Sequence, residues 1–399
     1  MTPRARLSLP EFTALVAMMF ATVAFSIDAM LPALPEIAQE LSAQAPNRAQ
    51  LVVMFFIIGM GAGTLVVGPL SDAFGRRPVI LGGALLYCAG AFLASVAPGL
   101  DTLLAARLLQ GIGAAAPRIV GLALVRDQYK GREMARVVSF AMTIFSLVPA
   151  IAPLIGSFII AGFGWRGIFL SFIGFAALMM AWLGLRQPET LPPEARRALA
   201  LRPLWQTIRQ VMAIPVVRIA TMVQTLCFAC LYAMLASTQP IFDATFGQGA
   251  NFAYWFGLIA VLAGSASFIN ATLVVRLGMR FLVMRTLQVQ VGLAGSFALL
   301  AASGLLPEAL YFALFVGWTV SVFMLAGLTL GNLNALALEP VGHVAGMAAS
   351  VTGAIATVVA ALIATPLGLV FDGTPVPLAL GITALALLGA ILMRRLPAR

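Results

Sequence analysis

Apolar runs of roughly twenty residues recur along the whole chain, separated by short polar stretches that hold most of the charges. At about 20 residues per membrane crossing, twelve helical spans are predicted near 11–34, 50–71, 78–97, 102–125, 136–161, 166–186, 214–240, 251–275, 280–303, 308–336, 343–371 and 376–393. No alternating strand pattern interrupts them, so the expected class is all-α membrane protein. The longest polar connection, residues 187–213, divides the chain almost in half. It predicts an N-terminal six-helix bundle over 1–186, a linker over 187–213, and a C-terminal six-helix bundle over 214–399. Within the linker Leu201, Leu204, Trp205, Ile208, Val211 and Met212 recur at helical spacing, with Arg202, Gln206, Arg209 and Gln210 between them. That pattern predicts a short amphipathic helix lying on a membrane surface.

Composition agrees with the pattern. Of 399 residues 61% are hydrophobic and only 10% charged, with mean hydropathy +1.02, too little polar surface for a soluble domain. The first apolar run is long enough to span and lacks a small-residue cleavage site, so no cleavable signal peptide is expected. The net charge of +10 would suggest nucleic acid in a soluble protein. Here the cations lie between spans, so nucleic acid is not expected and the bilayer is the partner. Twenty of the 24 Lys and Arg residues fall in connections on one face, whereas Arg48 and Arg166 alone fall on the other. By the positive-inside bias both termini are cytoplasmic. Cys227 and Cys230 have redox-motif spacing, but inside an apolar run they read as small buried hydrophobes.

Charges at membrane depth are expensive and mark candidate function. Asp28 lies late in the first span, and it is the sole acid placed in the membrane interior. Arg107 and Arg118 lie in the fourth span, eleven residues apart, which returns them to within ~20° of one helix face. Asp28 and Arg107 each lie about 9–10 Å inside the outer boundary, at ~1.5 Å per residue, so an Asp28–Arg107 pair is geometrically reasonable. Such a pair could serve proton coupling or only fix two helices together. Gln110 projects ~60° from Arg107 and shares the expected cavity, and Arg118 calls for water, a substrate anion or backbone carbonyls. Burial opposes a charge on Asp28 and Arg107 favours it, a balance suited to taking up and releasing a proton. In the second half Gln224, Tyr232, Gln239, Asn270, Trp318, Asn332 and Asn334 are the polar or amphipathic candidates, with Gln224, Tyr232, Trp318 and Asn332 assigned to the substrate cavity.

A tight turn, Gly68-Pro69-Leu70-Ser71-Asp72-Ala73-Phe74-Gly75-Arg76-Arg77, joins the second and third spans. Asp72 sits at a helix C-terminus, where the dipole disfavours an acid, so Arg76, Arg77 or another helix N-terminus should hold it. A degenerate echo, Gly278-Met279-Arg280, joins the eighth and ninth spans.

This turn resembles, position by position, the G-x-L-[SA]-D-x-x-G-[RK]-[RK] loop of the major facilitator superfamily. Arg107-x-x-Gln110-Gly111-x-Gly113, running to Arg126-Asp127, resembles that family's helix-4 motif, whose arginine is implicated in proton coupling. Asp28 with Leu31-Pro32-Ala33-Leu34-Pro35 resembles the helix-1 signature of the twelve-helix drug:proton antiporter branch, especially the Bcr/CflA group. Ala152-Pro153-Leu154-Ile155-Gly156-Ser157, preceded by Pro149, is similar to the antiporter motif G-P-x-x-G-G, with Ala152 and Ser157 in place of its first and last glycines. The resemblance implies a proton-driven multidrug efflux carrier working by alternating access, with small drug-like molecules and protons as partners. It implies no cofactor beyond the proton gradient, no metal, a monomer, and a role in antibiotic resistance. It further implies that Asp72, Arg76 and Asp127, with Gly68, Gly75 and Arg77, form a cytoplasmic charge cluster that locks the outward-facing state. The rival reading is a facilitator-family transporter of an anionic or small metabolite that uses Arg118 for substrate binding. With one histidine and no clustered nucleophile, metal or phosphate motif, an enzyme is not expected. No filter-like loop or charge ring suggests a channel.

Overall fold

The computed structural model describes residues 7–196, 199 and 201–396, without the side chains of residues 201–205, 207, 343 and 344. Arg4, Arg6, Arg197 and Arg399 of the cation count therefore lie outside the described residues, as do the side chains of Leu201, Arg202, Leu204 and Trp205. Every regular element among the described residues is helical. In hydrocarbon a backbone has no water to bond, and a helix satisfies its own N–H and C=O groups. Large apolar side chains such as Phe158, Phe163 and Phe268 stand 68%, 79% and 79% exposed, a surface that suits lipid.

Eleven helical stretches among the described residues are long and apolar enough to cross a membrane. The two spans expected over 136–161 and 166–186 are here one stretch, Gly131–Arg186, interrupted only at Gly164 (φ 65°, ψ 179°). At ~1.5 Å per residue its 56 residues would reach ~84 Å, against a hydrocarbon thickness of ~30 Å. The four residues between the expected spans are thus not a loop; helix continues to either side of a single glycine with non-helical backbone angles.

The chain divides into two compact units. The first comprises residues 1–41 and 55–202. It holds α1 (Leu9–Asp28), α2 (Leu34–Leu41), most of α3 (Leu51–Phe74), α4 (Arg76–Ser95), α5 (Leu100–Gln128) and α6 (Gly131–Arg186). Phe12, Leu15, Met19 and Phe20 of α1 pack with Ala84 of α4, Ala115, Ala116 and Val120 of α5, and Met179 and Leu183 of α6. Small residues set how closely the helices approach. A Cβ on Gly111 of α5 would strike the Phe56 carbonyl of α3, and one on Gly113 would strike the Gly83 carbonyl of α4. At the end with few cations, Glu40 pairs with Arg166 at 2.6 Å and accepts from Trp165 Nε1 at 2.7 Å, while Glu36 accepts from the Trp165 backbone N–H. Glu36 thus caps the helix that follows Gly164, and Glu40 holds its first two side chains.

The second unit comprises residues 42–54 and 203–399. It holds α7 (Leu201–Ala213, from residue 203 on), α8 (Pro215–Pro240), α9 (Phe252–Leu277), α10 (Met279–Ser303), α11 (Glu308–Leu338), α12 (Ala345–Leu369) and α13 (Val376–Arg394). Helix α8 is its centre and packs on α11, α12 and α13. In α7, which covers the linker's helical pattern, Val211 is buried and Gln206, Arg209 and Gln210 are exposed. Residues 42–54 belong here because Asn47 donates to the carbonyls of Leu369 and Phe371 at 3.1 and 2.7 Å. Gln50 donates to that of Gly368 at 3.1 Å. Gly75 (φ 103°) and Gly278 (φ 78°) each begin the helix after a sharp turn, so the sequence echo is also a conformational one.

Gly164 occupies a backbone region that costs a side-chain-bearing residue ~1–3 kcal/mol. The Gly164→Ala variant is expected to lose that amount and to aggregate at a lower temperature in detergent, followed by light scattering on heating.

Candidate functional site

Helix α1 ends at Asp28, and the Ala29 N–H closes its last turn on the Phe25 carbonyl at 3.1 Å. Pro32 then continues the chain as a tighter turn over Leu31–Ala33. Gly156 of α6 lies against the Ala29 carbonyl so closely that a Cβ there would overlap it. Three residues before, Pro153 occupies a helix-interior position in α6, and Ser157 Oγ donates back to the Pro153 carbonyl at 3.0 Å. Gly156 thus lets α6 lie against the end of α1 one residue past Asp28.

Asp28 is buried, at 6% exposure. Arg107 is buried completely, yet the expected ion pair between them is not formed. The Arg107 guanidinium donates to Gln110 Oε1 at 2.7 Å and to the Ser26 carbonyl at 3.1 Å. The Phe56 ring lies beneath it, 4.4 Å from its centroid. The reason is azimuth. Ser26 turns toward α4, where its hydroxyl meets Tyr87 Oη at 2.5 Å, and Asp28, two residues on, projects about 200° round the helix from Ser26. Shared depth brought the two residues level without turning them toward each other. Tyr87 and Ser26 join Arg107 and Gln110 in one buried polar cluster. Tyr87 escaped the sequence reading because a single Tyr in an apolar run carries no periodic signal.

Arg118 is only partly buried. Its NH1 lies 3.7 Å from the Met60 sulfur. In the second unit Tyr232 stacks on Phe228 at 5.4 Å and Trp318 on Phe297 at 4.7 Å. Asn332 donates to Asn270 Oδ1 and to the Leu328 carbonyl at 2.7 and 2.8 Å. The Gln224 Oε1 and Trp318 Nε1 atoms are buried without a hydrogen-bond partner, so these two side chains keep unspent polar capacity.

At the arginine-rich end of the first unit the 68–77 turn gathers its charges around Arg76. Its guanidinium meets Asp72 Oδ1 at 2.6 Å, Asp127 Oδ2 at 3.1 Å and Ser71 Oγ at 2.7 Å. Arg77 donates to the Gly184 carbonyl near the end of α6. Gly68, whose Cβ position is open, accepts from Ser71 through its carbonyl. Sequence reasoning missed Glu189, the residue that completes this cluster. Its two oxygens accept from the backbone N–H groups of Arg76 and Arg77 at 2.9 and 3.0 Å, capping the N-terminus of α4 as an anion should. The next residue, Thr190, donates to Asp127 Oδ2 at 2.8 Å. Among the described residues no group of three or more His, Cys, Asp or Glu could hold a metal ion.

Residues 15–365 match the family described as the Major Facilitator Superfamily. The chain is 29% identical over 344 residues to a bicyclomycin resistance protein homolog of Haemophilus influenzae, covering 85% of this chain and 84% of that protein. It is 35% identical over 173 residues to the multidrug resistance protein MdtL of Escherichia coli, covering 42% of this chain and 44% of that one. Among solved structures, the xylose transporter XylE from E. coli superposes with a TM-score of 0.76 at 14% identity, covering 98% of each chain.

Hydrogen bonds to a charged group contribute ~1.5–3 kcal/mol. Glu189→Gln is therefore expected to raise amide hydrogen exchange at Arg76 and Arg77 about tenfold or more, read by mass spectrometry on the purified protein.

Proposed function

Since the chain belongs to the major facilitator superfamily, a family of transporters and not enzymes, we propose that it is a proton-coupled exporter of drug-like compounds. In this reading it has twelve spans, the Gly131–Arg186 stretch supplying two, and both termini face the cytoplasm. It works as a monomer in the bacterial inner membrane. The drug-resistance names carried by its relatives support the substrate class.

The observation that carries the coupling is the state of Asp28. It is buried, placed by the Gly156–Ala29 contact, and separate from Arg107, whose hydrogen bonds go to Gln110 and Ser26. A carboxylate locked to Arg107 would stay charged through the cycle. One released from that pairing can alternate between proton and substrate as access to water changes. Binding a neutral or cationic drug then displaces the proton, and reprotonation from the other side displaces the drug.

Alternating access exchanges the two faces of a midplane site by motion of one bundle against the other. The Asp72–Arg76–Asp127 cluster is the element whose making and breaking accompanies that exchange. No metal or organic cofactor takes part; the proton gradient supplies the energy.

Asp28→Asn keeps the side chain's size and removes its titration. In proteoliposomes it is expected to abolish transport driven by an imposed pH gradient and drug-triggered proton release, read with a pH-sensitive dye. Undiminished proton-driven efflux of a neutral compound in this variant would sink the assignment.

A further inference from the structure

Tyr87 of α4 takes no part in the transport reading above, yet its surroundings give it a defined task. It is 1% exposed and stands against α5, where a Cβ on Gly113 would strike its backbone nitrogen. Gly90, three residues on, lies as tightly on Gln110. From this fixed backbone the ring carries its hydroxyl to α1, where Tyr87 Oη meets Ser26 Oγ at 2.5 Å. The Ser26 hydroxyl has one proton and donates it to the Thr22 carbonyl at 2.6 Å. Tyr87 is therefore the donor in the contact between the two hydroxyls.

Ser26 is also fully buried, and its carbonyl accepts from Arg107 at 3.1 Å. One residue of α1 thus holds two neighbours, α4 through its side chain and α5 through its backbone. Attachments to two different helices define a rotation about the α1 axis, which apolar packing in a bilayer leaves loose. Asp28 projects ~200° round the helix from Ser26, so this rotation decides where its carboxyl points. The other charges of α5 nearest to Arg107, Asp101 and Arg118, stand ~9 and ~16 Å from it along the axis. Helix α6 meets this end of α1 through Gly156, not through a charged residue. Arg107 is the cation at the level of Asp28.

We propose that Tyr87 is a positioning residue for Asp28: the bond from its hydroxyl to Ser26 holds α1 at the rotation that keeps the carboxyl away from Arg107. This rests on the transport reading above and deepens it by assigning a residue to the separation on which proton exchange depends. Without the hydroxyl, charge attraction between Asp28 and Arg107, strong in a medium of low dielectric, turns α1 toward α5. An adjacent cation favours the ionised carboxyl, so a smaller fraction of molecules then holds the proton.

Tyr87→Phe removes one oxygen and keeps the ring. The test follows the protonated-carboxyl infrared band of the full chain in proteoliposomes, assigned to Asp28 as the band that Asp28→Asn removes. At one fixed pH where wild type shows that band, Tyr87→Phe is expected to weaken it about threefold or more, the scale of one interhelical hydrogen bond in a bilayer. Ser26→Ala removes the other end of the bond and is expected to weaken the band equally. The double variant should weaken it no further, as for two residues acting through one contact. A tyrosine that only stabilised the fold would lower the temperature of aggregation without moving the band. An unchanged band in Tyr87→Phe, or losses that add in the double variant, overturns the proposal. Asp28→Asn separates the two readings. Proton-driven efflux that survives in Asp28→Asn, beside a band weakened by Tyr87→Phe, leaves the positioning role standing and removes the coupling. Efflux lost in Asp28→Asn, with a band that Tyr87→Phe does not touch, does the reverse. A wild type without such a band at any pH overturns both.

Discussion

The first unit depends on how closely α5 approaches its neighbours. In a bilayer helices gain little from burying apolar surface against each other, so association rests on van der Waals contact and interhelical hydrogen bonds. Glycines make that contact possible. Gly59 and Gly63 of α3 admit the Leu108 and Ile112 carbonyls of α5, and Gly83 and Gly90 of α4 admit Ala116 and Gln110. With backbones in contact on both sides, α5 has little freedom to rotate. The direction of every polar side chain it carries follows from that. Arg107 must meet Phe56 and the end of α1, and Gln110 must lie between Arg107 and α4.

A cation so placed can draw stabilisation from neutral groups. The structure does this with a carbonyl, an amide oxygen and an aromatic face, each a partial charge oriented by the packing. Such stabilisation leaves Asp28 free of a fixed counter-ion. A buried ion pair would cost desolvation of both partners and then hold them tightly. The same packing that fixes Arg107 keeps Asp28 apart from it.

Much of this was legible in the sequence. Apolar run lengths marked where the long helices fall, and glycines of the α5 and α6 motifs stand in the structure at close helix approaches, at Gly111, Gly113 and Gly156. The turn charges were legible as well, because Asp72 and Arg76 are four residues apart and Asp127 belongs to a neighbouring helix end. Depth was legible but azimuth was not. Counting residues from helix ends placed Asp28 and Arg107 level, whereas their separation depends on how α1 is turned, which Ser26 and Gly156 decide by tertiary contact. Glu189 left no local signal at all. It sits in a polar stretch among other charges, and its partners are backbone N–H groups more than a hundred residues away in the chain. The helix running to Gly164 was hidden for another reason. Two spans separated by four residues suggest a loop, but the helix is interrupted only at a single glycine with positive φ.

The cluster around Arg76 joins two kinds of interaction. The Asp72 side chain is 47% exposed but that of Arg76 only 12%, so solvent screens their pair on one side alone. The Glu189 bonds instead satisfy N–H groups that a helix start leaves open, and they tie the segment after α6 to the head of α4. The Asp72 pair is partly open to solvent, whereas the Glu189 bonds hold the head of α4 to the segment after α6, and residues 72, 76, 127 and 189, drawn from three separate stretches of the sequence, converge on one turn.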